Sequence, residues 1–237
     1  MPIHPILSLY SDPTIRLDTQ AVMQRPEAAA WVMQCIANWS WVESATSTLF
    51  VNLLGTNLPA GAALYSDMTS ALAKDRALRS VALAALASEG YAVLEALLKA
   101  TASRQKTRDK YAHWYWGICE EMSDGLVLVD PRNLMRRRAR LLDAYDRGRP
   151  KIPPDLYPDA TMIYAARVSD LKLDAADFSE CAKLVFEFAN YAAEKSPEQR
   201  ASRLQKLSGD ARIQEARGQN GQSGKKKNSS SSAITAE

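Results

Sequence analysis

The chain has 237 residues, a formal net charge of +3, two histidines and three cysteines. No apolar run approaches the roughly 20 residues that span a bilayer, and the N-terminus lacks the basic start and apolar stretch of a signal peptide, so no membrane partner and a cytoplasmic location are expected. Cys35, Cys119 and Cys181 are odd in number and far apart, which argues against a disulfide framework or a zinc site. Buried free thiols, no metal and no cofactor are expected instead.

Residues 1–25 contain Pro2, Pro5 and Pro13 without a sustained period and read as an irregular lead-in. From Pro26 the spacing of Trp31, Cys35, Trp39, Val42 and Ala45 predicts a helix that runs to about Leu54, where Gly55 and Pro59 stop it. A second helical stretch is expected over about 60–89, with a break at Lys74-Asp75. Gly90 should punctuate, and a third helix should then carry Val93, Leu94, Leu97 and Leu98 into the segment Arg108 to Gly117.

After Met122 the texture becomes strand-like. Gly125 to Asp130 and Met162 to Arg167 predict a two-stranded ribbon. Between them lie a basic helix at about 133–145 and a loop holding Pro150, Pro153, Pro154 and Pro158. A last helix is expected through Leu173, Phe178, Leu184, Val185, Phe188 and Tyr191. The expected fold is mainly α, an antiparallel helical bundle over 26–200 with a small two-stranded β element and the basic helix inserted at about 123–167. Residues 208–237 are nearly free of apolar side chains and predict a disordered, low-complexity tail.

Charge is unevenly spread. Arg132, Arg136, Arg137, Arg138, Arg140, Arg147, Arg149 and Lys151 face only Asp143 and Asp146 over the same stretch. This patch reads either as a solvated helix face or as a salt-sensitive contact to a nucleic-acid backbone.

His113 carries the sharpest signal. His4 lies near a terminus, whereas His113 stands in Thr107-Arg108-Asp109-Lys110-Tyr111-Ala112-His113-Trp114-Tyr115-Trp116-Gly117. Imidazole is the default general acid or base near neutral pH. His113 follows Arg108 by five positions, about 140° around a helical axis, so the two cannot form a dyad on one helical face. Asp109 is four residues before His113 and shares a face with it and with Trp116, close enough to orient the ring. Arg104, Arg108, Tyr111 and Tyr115 make a second stripe. If two copies of this helix meet about a twofold axis, both Arg–His pairs converge on one groove. Guanidinium groups would there grip a phosphate and imidazoles would move protons of a ribose hydroxyl and a leaving oxygen. The bland alternative is a solvated helix end. The aromatic cluster Tyr111, Trp114, Tyr115 and Trp116 reads as core or dimer contact rather than as a base-stacking platform.

Arg108 to His113 resembles the R-x4-6-H motif of the HEPN superfamily, including the Asp or Asn after the arginine; extended to Tyr115 it resembles the R-x4-H-x-Y form of HEPN toxins. The likeness covers six to eight residues. It implies a helical homodimer and metal-independent endoribonuclease activity in a toxin–antitoxin or phage-defence setting. Arg108 would hold the scissile phosphate, His113 would transfer protons and Asp109 would orient His113. It also implies an antitoxin or nucleotidyltransferase partner that modifies Tyr115. RNA or phosphate contacts are expected from Arg104, Lys110, Arg136, Arg137 and Arg138. Some members of the superfamily are not nucleases, which leaves a binding or scaffold protein for a nucleotide, RNA or protein, or a purely structural helical dimer, as the alternatives.

Overall fold

The computed structural model describes residues 3–17, 19–147 and 160–218. The chain divides into two compact units, 1–39 with 105–179 and 40–104 with 180–237, each boundary falling inside a helix. The fold is mainly helical, as expected.

The first unit is built on a sheet that the sequence reading underestimates. Strands β1 (His4–Pro5), β2 (Ile15–Leu17), β3 (Tyr115–Cys119), β4 (Met122–Val129) and β5 (Ile163–Arg167) form one antiparallel sheet in the order β1-β5-β4-β3-β2. The anticipated pair β4–β5 is present, with Leu128 opposite Tyr164 and Gly125 opposite Arg167. It is the middle of a five-stranded sheet, not an isolated ribbon. The lead-in is correspondingly ordered: it supplies both edge strands, a 3-10 turn at Ile6–Ser8 and helix α1 (Ala21–Gln24). A two-residue and a three-residue strand carry too little alternation to be read from sequence.

Alternation along β4 gives this unit two cores. Leu126 and Leu128 pack with Tyr111, Ile118, Val32, Cys35, Leu171 and Phe178. Apart from Ile118, which is on β3, these come from the parts of α2 (Pro26–Leu54), α5 (Ser88–His113) and α7 (Val168–Ala193) that belong to this unit. Val127 and Val129 point the other way, against Ile6, Cys119, Ile163 and Leu134, the last from α6 (Pro131–Asp146). Asp130 caps α6 by accepting from the Arg132 amide at 2.8 Å, and Pro131 occupies the first turn, where its missing N–H costs nothing. Residues 148–159, with the proline-rich loop, lie outside the described residues.

The second unit is helical. The anticipated stretch 60–89 is two helices, α3 (Leu58–Asp67) and α4 (Ala71–Ala85). The break is at 68–70 rather than at Lys74-Asp75, because Ser70 caps α4 through a bond from the Ala73 amide. Gly90 does not punctuate; it sits in the first turn of α5, where the Tyr191 hydroxyl lies in the space a β-carbon would need. The chain from 208 is also not all tail. Helix α8 (Pro197–Ser208) is followed by a helical run over 211–218 that buries Ile213 and Ala216 and is tied down by Lys99 Nζ donating to the Ala216 carbonyl at 3.1 Å. Residues 219–237 lie outside the described residues. Among the described residues, no helix is long and apolar enough to cross a membrane.

Candidate functional site

Helix α5 ends at His113, four residues short of the expected Gly117. Trp114 is a bend, and Tyr115 to Cys119 pair with both β2 and β4. Aromatic and β-branched residues at 115–118 favour the pleated surface once two partner strands are available. This end of α5 undoes both expected stripes: Tyr115 and Trp116 are strand residues and share no helical face with Arg108 or Asp109.

Tyr111 anchors the motif segment. It is 1 % exposed, and its hydroxyl donates to Asp174 Oδ2 at 2.5 Å. Asp174, on α7, is 6 % exposed and its carboxyl is pushed up to about 6, first by burial and then by the charges of Asp177 and Asp170, while the Tyr111 bond pulls it down. Burial, then the Asp174 charge, pushes the Tyr111 hydroxyl upward as well. Cys35 lies against the same cluster; burial, followed by the Asp174 charge, raises its thiol to about 12, and its Sγ donates to the Leu171 carbonyl. A carboxylate, a phenol and a thiol thus share one buried locus beneath the motif. Sequence reasoning missed Asp174, although its position between Leu171 and Phe178 on the buried face of α7 was a usable signal: a charge on an apolar stripe needs a partner.

With Tyr111 turned inward, the other motif side chains are distributed around α5. His113 is exposed and has no hydrogen bond or ion pair among the described residues. Arg108 Nη1 meets the carboxylate of its own neighbour, Asp109 Oδ1, at 3.2 Å. The expected Asp109–His113 bond is therefore not formed, because the adjacent guanidinium takes the carboxylate first. Arg108 and His113 do not meet within one chain, as helical geometry required. Arg108 Nε is buried without an acceptor among the described residues. Arg104 falls in the other unit and donates to the Ala100 carbonyl one turn back.

Lys110 is placed differently from a surface lysine. Its Nζ stands 4.5 Å from the centroid of the Tyr164 ring and 5.1 Å from that of Trp114, and the two rings are 5.4 Å apart. Burial lowers its ammonium pKa, and the charge of Asp130 partly offsets this. Asp130 itself is buried and committed to Arg132, whose Nη2 it meets at 2.6 Å. That bond is the main reason its carboxyl is held below the usual range. Lys110 and the cap of the basic helix are hence neighbours. Along α6, Arg136, Arg138 and Arg140 are exposed, as are Met135, Leu142 and Tyr145, while Arg136 Nη1 lies 4.0 Å from Met162 Sδ. Arg137 belongs to α6, its side chain outside the described residues, as are Arg149 and Lys151. Of the aromatic cluster, Tyr111 is core, Trp114 and Trp116 are half-buried against the same core, and Tyr115 is 53 % exposed.

On the opposite face of the sheet a cleft of about 640 Å³ is lined by Leu7, Ile15, Leu17, Val129 and Ile163, with Ser11, Asp12 and Arg16 among its polar residues; no motif residue borders it. All three cysteines are free and buried, and no group of three or more His, Cys, Asp or Glu side chains is arranged as a metal site among the described residues. Compared with known protein families, curated proteins and solved structures, the chain matches none.

Proposed function

We propose that the chain is a metal-independent endoribonuclease that acts as a homodimer, with Arg108 and His113 of both copies lining one groove. The observation that carries this reading is the state of His113: an exposed imidazole at a helix end, free of any partner among the described residues, on the helix that also carries Arg108 and Lys110. One imidazole would take the proton of a ribose 2′-hydroxyl as that oxygen bonds to phosphorus. The P–O5′ bond then breaks, and the imidazolium of the second copy protonates the leaving oxygen. The products are a 2′,3′-cyclic phosphate and a 5′-hydroxyl. Arg108 would hold the non-bridging oxygens, and Asp109, in place of orienting His113, would hold the guanidinium ready until a phosphate displaces it. Arg136, Arg137 and Arg138 would supply backbone affinity that falls with salt. In a toxin–antitoxin or phage-defence setting, the exposed Tyr115 hydroxyl is the group a nucleotidyltransferase antitoxin would reach.

The test is cleavage of mixed RNA by wild type and by His113→Ala, with and without EDTA. Loss of a solvent-facing, unbonded imidazole should leave the unfolding midpoint unchanged and lower the rate about 10²–10⁴-fold, with wild type unaffected by chelator. A variant that cleaves like wild type refutes the reading. Retained RNA binding without cleavage by wild type would instead identify the non-catalytic member of the alternatives.

A further inference from the structure

We infer that Trp114 and Tyr164 form a stacking platform for an unpaired base of single-stranded RNA next to the phosphate that His113 serves, and that Lys110 guards this platform when RNA is absent. The inference rests on the ribonuclease reading for the identity of the ligand, but its geometry is independent of catalysis. Both rings are half-buried and packed against the core that holds Tyr111, Leu128 and Phe178. Their centroids are 5.4 Å apart at an interplanar angle of 55°, and the Lys110 ammonium is positioned over both. That ammonium has no carboxylate within ion-pair distance among the described residues, since the nearby Asp130 is engaged by Arg132 through its amide, Nε and Nη2. Among the described residues only ring faces hold it, an interaction that a base stacking on the same faces can replace.

The sequence order fixes what lies beside the platform. Trp114 follows His113 directly, and Lys110 precedes His113 by three residues, on the same side of α5. Tyr164 stands opposite Leu128 on β5, two residues from Asp130 and the start of the arginine-rich helix. A base stacked on one of these rings, with the other tilted 55° against its edge, would have His113, the neighbour of Trp114 in the chain, and the start of the arginine-rich helix close by. The lysine it displaces becomes a free ammonium for the adjoining phosphate. A duplex offers no open base face and should be a poor ligand, whereas an unstacked single strand fits.

The measurement is fluorescence anisotropy of the full chain, carrying His113→Ala so that RNA stays intact, with oligoadenylate of roughly eight nucleotides and an abasic oligomer of the same length. Oligoadenylate should bind about tenfold tighter than the abasic strand. Trp114→Leu and Tyr164→Leu should each remove most of that difference while leaving abasic binding unchanged, and Trp114→Phe should restore it. Equal binding of the two oligomers overturns the inference without recourse to any ring variant, and so does an equal loss for both oligomers in correctly folded Leu variants. Cleavage by the wild-type chain without base discrimination defeats the platform and leaves the nuclease standing. Discrimination without cleavage does the reverse, and absence of RNA binding defeats both.

Discussion

Replacing Asp174 by asparagine probes the buried locus beneath the motif. In the fold, the Asp174 carboxyl is pushed up to about 6 from an ordinary 3.8, chiefly by burial. A folded value above the unfolded one means the native state holds the proton more tightly. Between about pH 4 and pH 6 the fold then binds more protons than the unfolded chain, and stability falls as pH rises through this window. Above pH 6 the cost of the buried charge is fully present, at most about 3 kcal/mol from the two values at 1.36 kcal/mol per pH unit. Asparagine carries no charge, yet its carbonyl can still accept from Tyr111, so part of that cost disappears while the bond to α5 persists in a weaker, neutral form worth about 1 kcal/mol less. Urea unfolding followed by far-UV circular dichroism, at pH 4.5 and 7.5 and one protein concentration, should show the variant-minus-wild-type difference moving in favour of asparagine by about 2 kcal/mol at the higher pH. Tyr111→Phe should do the opposite. It strips the carboxylate of its donor and should cost about 1–3 kcal/mol at pH 7.5 and less at pH 4.5, where the carboxyl is protonated. A difference independent of pH in both variants would refute the assignment of Asp174 as a buried, reluctantly charged group.

Two further outcomes follow from packing. Cys35, Cys119 and Cys181 are all buried, and burial raises the thiols of Cys35 and Cys119 to about 12 and about 11. In the native protein they should resist a thiol-specific chromogenic reagent over the time in which the urea-unfolded chain titrates fully, because thiolate is the reactive form; rapid native labelling would contradict the burial. Gly125→Ala places a β-carbon 2.6 Å from the Ala166 carbonyl oxygen and 2.9 Å from Met122 Sδ, so it must push β4 and β5 apart. A loss of about 1–3 kcal/mol is expected from such overpacking, read as a drop in thermal midpoint, and an unchanged midpoint would mean that the strands separate without strain.

How much of this was legible in the sequence depended on what each residue's neighbours supplied. The start of helix α2 is legible because Pro26 and the Trp31-Cys35-Trp39-Val42 spacing are local facts that tertiary structure has only to accept. The end of α5 is not legible, for the opposite reason. Tyr115, Trp116 and Ile118 continue three- and four-residue spacings as well as they form a strand, and the choice was made by β2 and β4, which come from elsewhere in the chain. The strand Ile15–Leu17 has too few residues to announce itself, and without it the sheet reads as a ribbon. In the helical run at 211–218, Ile213 and Ala216 are sparse anchors in a polar stretch, so composition argued for a tail where two buried side chains and one lysine bond suffice for a helix.

The candidate site shows the same division. That Arg108 and His113 cannot meet in one chain follows from helical periodicity and holds in the structure. The pairing of Asp109 does not follow from i to i+4 spacing, because the guanidinium one residue away competes with the imidazole for its carboxylate. Tyr164 falls on a strand that the sequence predicts, but nothing in the sequence marks it as the partner of Lys110 and Trp114, which depends on the register that sets Tyr164 opposite Leu128. The same register sets Val129 opposite Ile163, and Val129 is followed at once by Asp130, the cap of the arginine-rich helix. One strand pairing thus determines both the partner of Lys110 and the starting point of the basic helix. A change that shifted this register, unlike a change at any single motif residue, would separate the motif from its aromatic and basic neighbours together.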